Sequence, residues 1–176
     1  MPVSDAAEPR PRRKRFKPTI RALALVAVGA AVLIVFSCRD SRRITEDQLA
    51  ALPLDELVPV STLVPEKYDV ICLLRPYRNQ VGGQGDHVAM VNRFLRESKY
   101  EGYESRWSIA YVKGSSVEID LYNQSRVAYV SRSWQAVPAS KLPVGFRVAD
   151  CANVNEARFV QLAGRSGTYL MFGVVD

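Results

Sequence analysis

Residues 22 to 36 read ALALVAVGAAVLIVF, fifteen positions without a polar side chain, directly after a strongly basic leader. Seven Lys or Arg side chains stand in residues 1 to 21, from Arg10 to Arg21, against Asp5 and Glu8. Basic residues ahead of an apolar run hold the leader on the cytoplasmic face, so the charge order sends everything beyond the run across the membrane. A spanning helix uses about 20 apolar residues and a signal-peptide core about 7 to 15. Counting Thr19, Ile20 and Ser37, with Arg21 snorkelling, the run reaches nineteen positions and lies on that border. The sequence therefore predicts a single membrane segment over residues 22–38, with a cytoplasmic tail of residues 1–21 in front of it.

The run closes with VFSC, which resembles the bacterial lipobox, the site where a signal peptide is cut and the new N-terminal cysteine is lipidated. Val35, Ser37 and Cys38 follow that pattern, whereas Phe36 is bulky where a small residue is usual. Two outcomes stay open, an uncleaved signal-anchor and a chain lipidated at Cys38. Both tether the rest of the protein to a membrane, and in a Gram-negative cell that rest is periplasmic. Arg12 and Arg13 are followed by Lys14 and Arg15, which suits solvated cytoplasmic charge better than a twin-arginine export signal.

Residues 39–65 predict a spacer. Thr45 and Gln48 occupy the two positions of a capping box, Ile44 is placed to staple onto Leu49, and Pro53 limits the helix to about two turns. Pro53, Pro59 and Pro65 then recur at six-residue intervals without glycine, the composition of an extended strut reaching at most ~80 Å at about 3.1 Å per residue. The alternative is that Leu54, Leu57, Val60 and Leu63 pack along the side of the domain, since a free spacer has little use for so many aliphatics.

Residues 66–176 predict one extracytoplasmic α+β domain, a largely antiparallel sheet of about six strands with one main helix packed on one face. The apolar run YDVICLL at 68–74 reads as a buried strand. Asp86 is placed to cap a helix in which Val88, Val91 and Leu95 share a face. Three runs follow, RWSIAYVK, SVEIDLY and RVAYVSRSW, separated by turn residues and expected as an antiparallel meander. In the second, Val117, Ile119 and Leu121 alternate with Glu118, Asp120 and Tyr122, the pattern of a strand with one wet face. ARFVQLAG and TYLMFGVV flank Arg165-Ser166-Gly167, the arrangement of a hairpin.

Cys72 and Cys151 are expected to be joined, because an exported domain of this size meets an oxidising compartment. Hydrolytic chemistry has little to build on. His87 is the only histidine, and its place in the first turn of a helix suits a surface role. One histidine and two bridged cysteines leave no zinc set, so neither a metal nor a cofactor is expected. The GGQGDH stretch lacks the Lys-Ser/Thr end of a phosphate loop, and Asp86 would sit where the anion should bind. Glu118 with Asp120, and Glu101 with Glu104, form carboxylate pairs whose default role is solvated charge. Residues 66–176 carry fourteen basic and eleven acidic side chains without a basic cluster, so nucleic acid is not an expected partner.

The remaining signal is aromatic. Tyr103, Arg106, Trp107, Tyr111, Tyr122, Arg126, Tyr129, Arg132 and Trp134 crowd the meander, and Tyr, Trp and Arg dominate binding hot spots. The expectation is a membrane-tethered, non-enzymatic domain that binds another envelope or exported protein, as an envelope accessory or an inhibitor of immunity type. An envelope hydrolase using His87 or a carboxylate pair, and a ligand-sensing ectodomain, are the alternatives. The competing account of the aromatics is that they fill the sheet as cross-strand pairs.

Overall fold

The computed structural model describes residues 43–64, 67–129 and 137–176. The expected membrane segment 22–38, the basic tail and Cys38 lie outside the described residues. Among the described residues no helix is long and apolar enough to cross a membrane.

Two antiparallel four-stranded sheets form the domain rather than the single sheet expected. The first holds β1 (Leu57–Pro59), β7 (Ala157–Gly164), β8 (Gly167–Val175) and β5 (Phe146–Val148), in that order. The second holds β4 (Ser116–Asn123), β3 (Arg106–Lys113), β2 (Val70–Leu74) and β6 (Cys151–Asn153). Facing side chains of the two sheets make the main core, with Ile71, Leu73, Trp107, Ile109 and Tyr122 on one side and Phe159, Leu170 and Phe172 on the other. On the opposite face of the β2–β3–β4 sheet lies the expected main helix, here α2 (Asp86–Glu97), which buries Val88, Val91 and Leu95 against Val70, Leu74, Ala110 and Val112. All five residues of β2 are buried because it is covered on both faces. That is why its sequence reads as a continuous apolar run rather than an alternation.

Helix α2 has the expected length, but Gly85, at φ 119°, occupies its N-cap and Asp86 is the first helical residue. There the carboxylate still meets the positive end of the helix dipole, without a cap hydrogen bond.

Residues 43–64 belong to the folded unit instead of forming a standoff. The capping box is present in α1 (Glu46–Ala50): the Gln48 N–H donates to Thr45 Oγ1 and the Thr45 N–H donates to Gln48 Oε1. Ile44 and Leu49 are fully buried in the main core with Val60, and β1 pairs with β7. Leu54 is exposed, and Leu57 and Leu63 are half-buried. The aliphatic pattern of this stretch thus records burial, which an unattached strut would not need.

The third strand of the expected meander is absent over Arg126–Tyr129, where Tyr129 makes only an isolated parallel bridge to Leu170. Residues 130–136 lie outside the described residues. Side-chain hydrogen bonding turns the chain out of the sheet. Gln124 donates to the Tyr129 carbonyl and accepts from its N–H, and Trp107 Nε1 donates to the Val127 carbonyl at 2.9 Å. β4 therefore remains the edge of its sheet, while on the other side of β3 lies β2, which pairs with β6 and brings Cys72 opposite Cys151. The two cysteines form a disulfide that closes 79 positions of chain.

Candidate functional site

The residues expected to form an aromatic surface divide into two groups. Trp107, Tyr111, Tyr122 and Tyr129 are at most 3% exposed and fill the space between the sheets. Trp107 stacks on Tyr122 at 4.5 Å between centroids and lies 5.1 Å from Tyr129. These four belong to the core, and a binding face over them is ruled out. Tyr103, Arg106 and Arg126 are exposed, and Arg126 faces Glu46 and Asp47 of α1 at 3.4 and 3.6 Å. Arg132 and Trp134 lie outside the described residues. His87 is exposed at the start of α2, away from the main core.

The carboxylate pair of β4 is also reassigned. Asp120 is 8% exposed and Tyr122 is buried, so the face expected to be wet turns inward while Leu121 is exposed. What makes this possible is Arg43. Its backbone N–H and its Nη1 donate to the two oxygens of Asp120, its Nε donates to the Tyr68 hydroxyl, and it also pairs with Glu118. The guanidinium lies over the Tyr111 ring, 5.3 Å from its centroid. A carboxylate answered by so many donors is a structural clamp.

The exposed aromatic signal that remains sits at one end of the β2–β3 pair. Beyond β2, Arg75-Pro76-Tyr77-Arg78 forms a turn in which the Arg78 N–H donates to the Arg75 carbonyl at 3.2 Å. Proline at the second position and a positive φ at the third define a type II turn, whose third position normally takes glycine or asparagine. Here it is Tyr77, at φ 62° and 67% exposed. A bulky residue in the left-handed region costs on the order of 1–3 kcal/mol.

The neighbouring α2–β3 loop packs against this turn backbone to backbone. The Tyr77 N–H reaches the Tyr103 carbonyl at 3.4 Å, and a Cβ at Gly102 would fall 2.5 Å from the Arg78 carbonyl oxygen, so only glycine allows the approach. Tyr103 is itself 53% exposed, which leaves two tyrosines on adjoining loops turned to solvent. The Glu104 carboxylate accepts from the Tyr77 hydroxyl and pushes that phenol above its ordinary value. Arg106, whose N–H also donates to the Tyr103 carbonyl, begins β3 alongside.

Beside the turn opens a polar cleft of about 200 Å³, lined by Arg75, Arg78, Gln80, Gly82 and Asp150 among others. Arg75 Nη2 donates to Asp150 Oδ1 at 2.8 Å. Asp150 is fixed in turn because its carbonyl accepts the Leu73 N–H and it precedes the disulfide-bonded Cys151. Among the described residues no group of three or more His, Cys, Asp or Glu side chains is arranged to hold a metal ion.

Of this site, sequence reading found Tyr103 and Arg106 and missed Tyr77, Arg75, Arg78 and Asp150. The available signal was an aromatic residue directly after a turn proline, between two arginines. Comparison with known proteins finds no matching family model, no matching curated protein and no matching solved structure.

Proposed function

We propose that the chain is a membrane-tethered, extracytoplasmic domain that binds another envelope or exported protein without catalysing a reaction, through the end of the sandwich carrying Tyr77 and Tyr103. The observation that carries this reading is Tyr77 itself. A turn that glycine would close without strain instead holds a tyrosine in the left-handed region with its ring in solvent, next to a second exposed tyrosine. Strain kept at an exposed aromatic is explained by contact with a partner, because Tyr adds a large apolar area at low entropic cost.

The Cys72–Cys151 bridge supports the location outside the cytoplasm, where disulfides persist. On this reading the protein is an envelope accessory or an inhibitor of immunity type.

The test is capture from membranes of the full-length chain, solubilised in mild detergent, beside Tyr77→Gly and Tyr103→Ser variants. A partner recovered by the native chain and reduced at least tenfold by each variant is the expected result. Equal recovery by all three overturns the assignment of this face.

A further inference from the structure

The turn that lifts Tyr77 into solvent also supplies both arginines of the neighbouring cleft, so the aromatic face and the charged cleft are one piece of chain. Two guanidinium groups there face one carboxylate. Arg75 is engaged with Asp150 through Nη2, and Arg78 has no ion pair among the described residues. A guanidinium presents five N–H donors in a fork that matches a carboxylate, so donors of Arg75 beyond the Asp150 contact and the exposed Arg78 guanidinium are open to a ligand. Asp150 is held from behind by the Leu73 N–H and the adjacent disulfide, and a Cβ at Gly82 would fall 2.4 Å from its Oδ2. The cleft is thus built on fixed backbone, which reduces the ordering cost of binding.

We infer that this cleft receives the carboxylate of an acidic side chain, Glu or Asp, from the protein partner, held by Arg78 and the remaining donors of Arg75 beside the Tyr77–Tyr103 face. The inference rests on the protein-binding reading above. A carboxylate carries one negative charge and matches the excess of one positive charge in the cleft. Phosphate carries about 1.5 to 2 at neutral pH and would meet greater repulsion from Asp150.

The test uses the full-length chain in detergent micelles with ¹⁵N-labelled arginine and glycine. It is titrated separately with N-acetyl-glutamate N-methylamide, its glutamine counterpart and inorganic phosphate. Saturable shifts of the Arg75 and Arg78 Nε–H and Gly82 N–H signals are expected with the glutamate probe. The glutamine probe should act at least tenfold more weakly, and Arg78→Gln should weaken the glutamate probe at least tenfold with signals away from the cleft unchanged. Equal response to the two amino-acid probes, an unaffected Arg78→Gln variant, or phosphate saturating before glutamate overturns the inference. Tyr77→Gly separates the two proposals. Partner recovery that depends on Tyr77 with no carboxylate response sinks the cleft inference alone, whereas a carboxylate response without Tyr77-dependent recovery overturns its assignment to a protein partner.

Discussion

Arg43 binds Asp120 from 77 positions away, its backbone N–H 2.7 Å from Oδ2 and its Nη1 2.9 Å from Oδ1. This contact fastens the segment ahead of α1 to the edge strand β4. Arg43→Ala leaves the 8%-exposed Asp120 carboxylate without this cation and should cost about 3 kcal/mol of stability. Glu118→Gln, at a side chain 45% exposed, should cost less than about 1 kcal/mol. Urea denaturation of the two variants checks the difference, and equal losses would show that the Asp120 contact is not the one that matters.

Fragments test whether residues 43–64 are part of the fold. A chain beginning at residue 66 lacks Ile44, Leu49, Leu52 and Val60, all at most 8% exposed, and the β1 pairing that covers β7. Fragment 39–176 should unfold cooperatively, whereas fragment 66–176 should aggregate or show no sharp transition, as read by circular dichroism on heating. Cooperative unfolding of the shorter fragment would restore the strut reading of residues 39–65.

Removing the disulfide with Cys72→Ala and Cys151→Ala together should cost about 4 to 5 kcal/mol, the loop-closure value for a span of this length. The native protein under reducing conditions should approach the same midpoint in denaturant. A loss below about 1 kcal/mol would mean that the bridge restricts the unfolded chain little.

Tyr77→Gly should behave differently from ordinary surface substitutions. Relief of the left-handed conformation predicts a gain of about 1 kcal/mol in stability, while partner recovery falls. Thermal unfolding measured beside the capture experiment reads both. A destabilised variant would show that the ring contributes to the fold and that its position is not strained for binding.

Tyr111 and Tyr129 carry phenols raised by burial, in Tyr111 with a further push from Tyr122. A group whose folded value exceeds its unfolded one stabilises the fold below the unfolded value, about 10 for a phenol, and loses that contribution as pH rises further. Stability should therefore fall above about pH 10. Tyr129→Phe should flatten part of that fall and, by deleting an unpartnered buried hydroxyl, raise stability near neutrality by about 1 kcal/mol. Denaturant midpoints across that pH range give the answer, and an unchanged alkaline slope would count against the burial account.

Much of the local structure was legible. The apolar periodicity of Val88, Val91 and Leu95 marked α2, the alternation in β4 and the turn-bounded runs of β3, β7 and β8 marked those strands, and Thr45 with Gln48 marked the start of α1. Strands β1, β5 and β6 were not, because three residues each carry too little pattern to stand out. The site was legible only at Tyr103 and Arg106. Composition placed six aromatics in one region but could not say which face of a strand is covered, and four of them proved to be core. Tyr77 escaped because proline suggested a turn while the φ of the next residue is set by the packing of Gly102 on Arg78.

By itself the sequence determined the elements whose hydrogen bonds or apolar period close within about a dozen residues, together with an α+β class and the pairing of Cys72 with Cys151. Tertiary structure alone decided that β2 pairs with β6, that Arg43 turns the acidic face of β4 inward, and that Tyr77, Arg78 and Asp150 meet at one end of the sandwich. The reason is that each of these rests on contacts between distant parts of the chain, where local propensity is silent and the choice falls to which surfaces exclude water together.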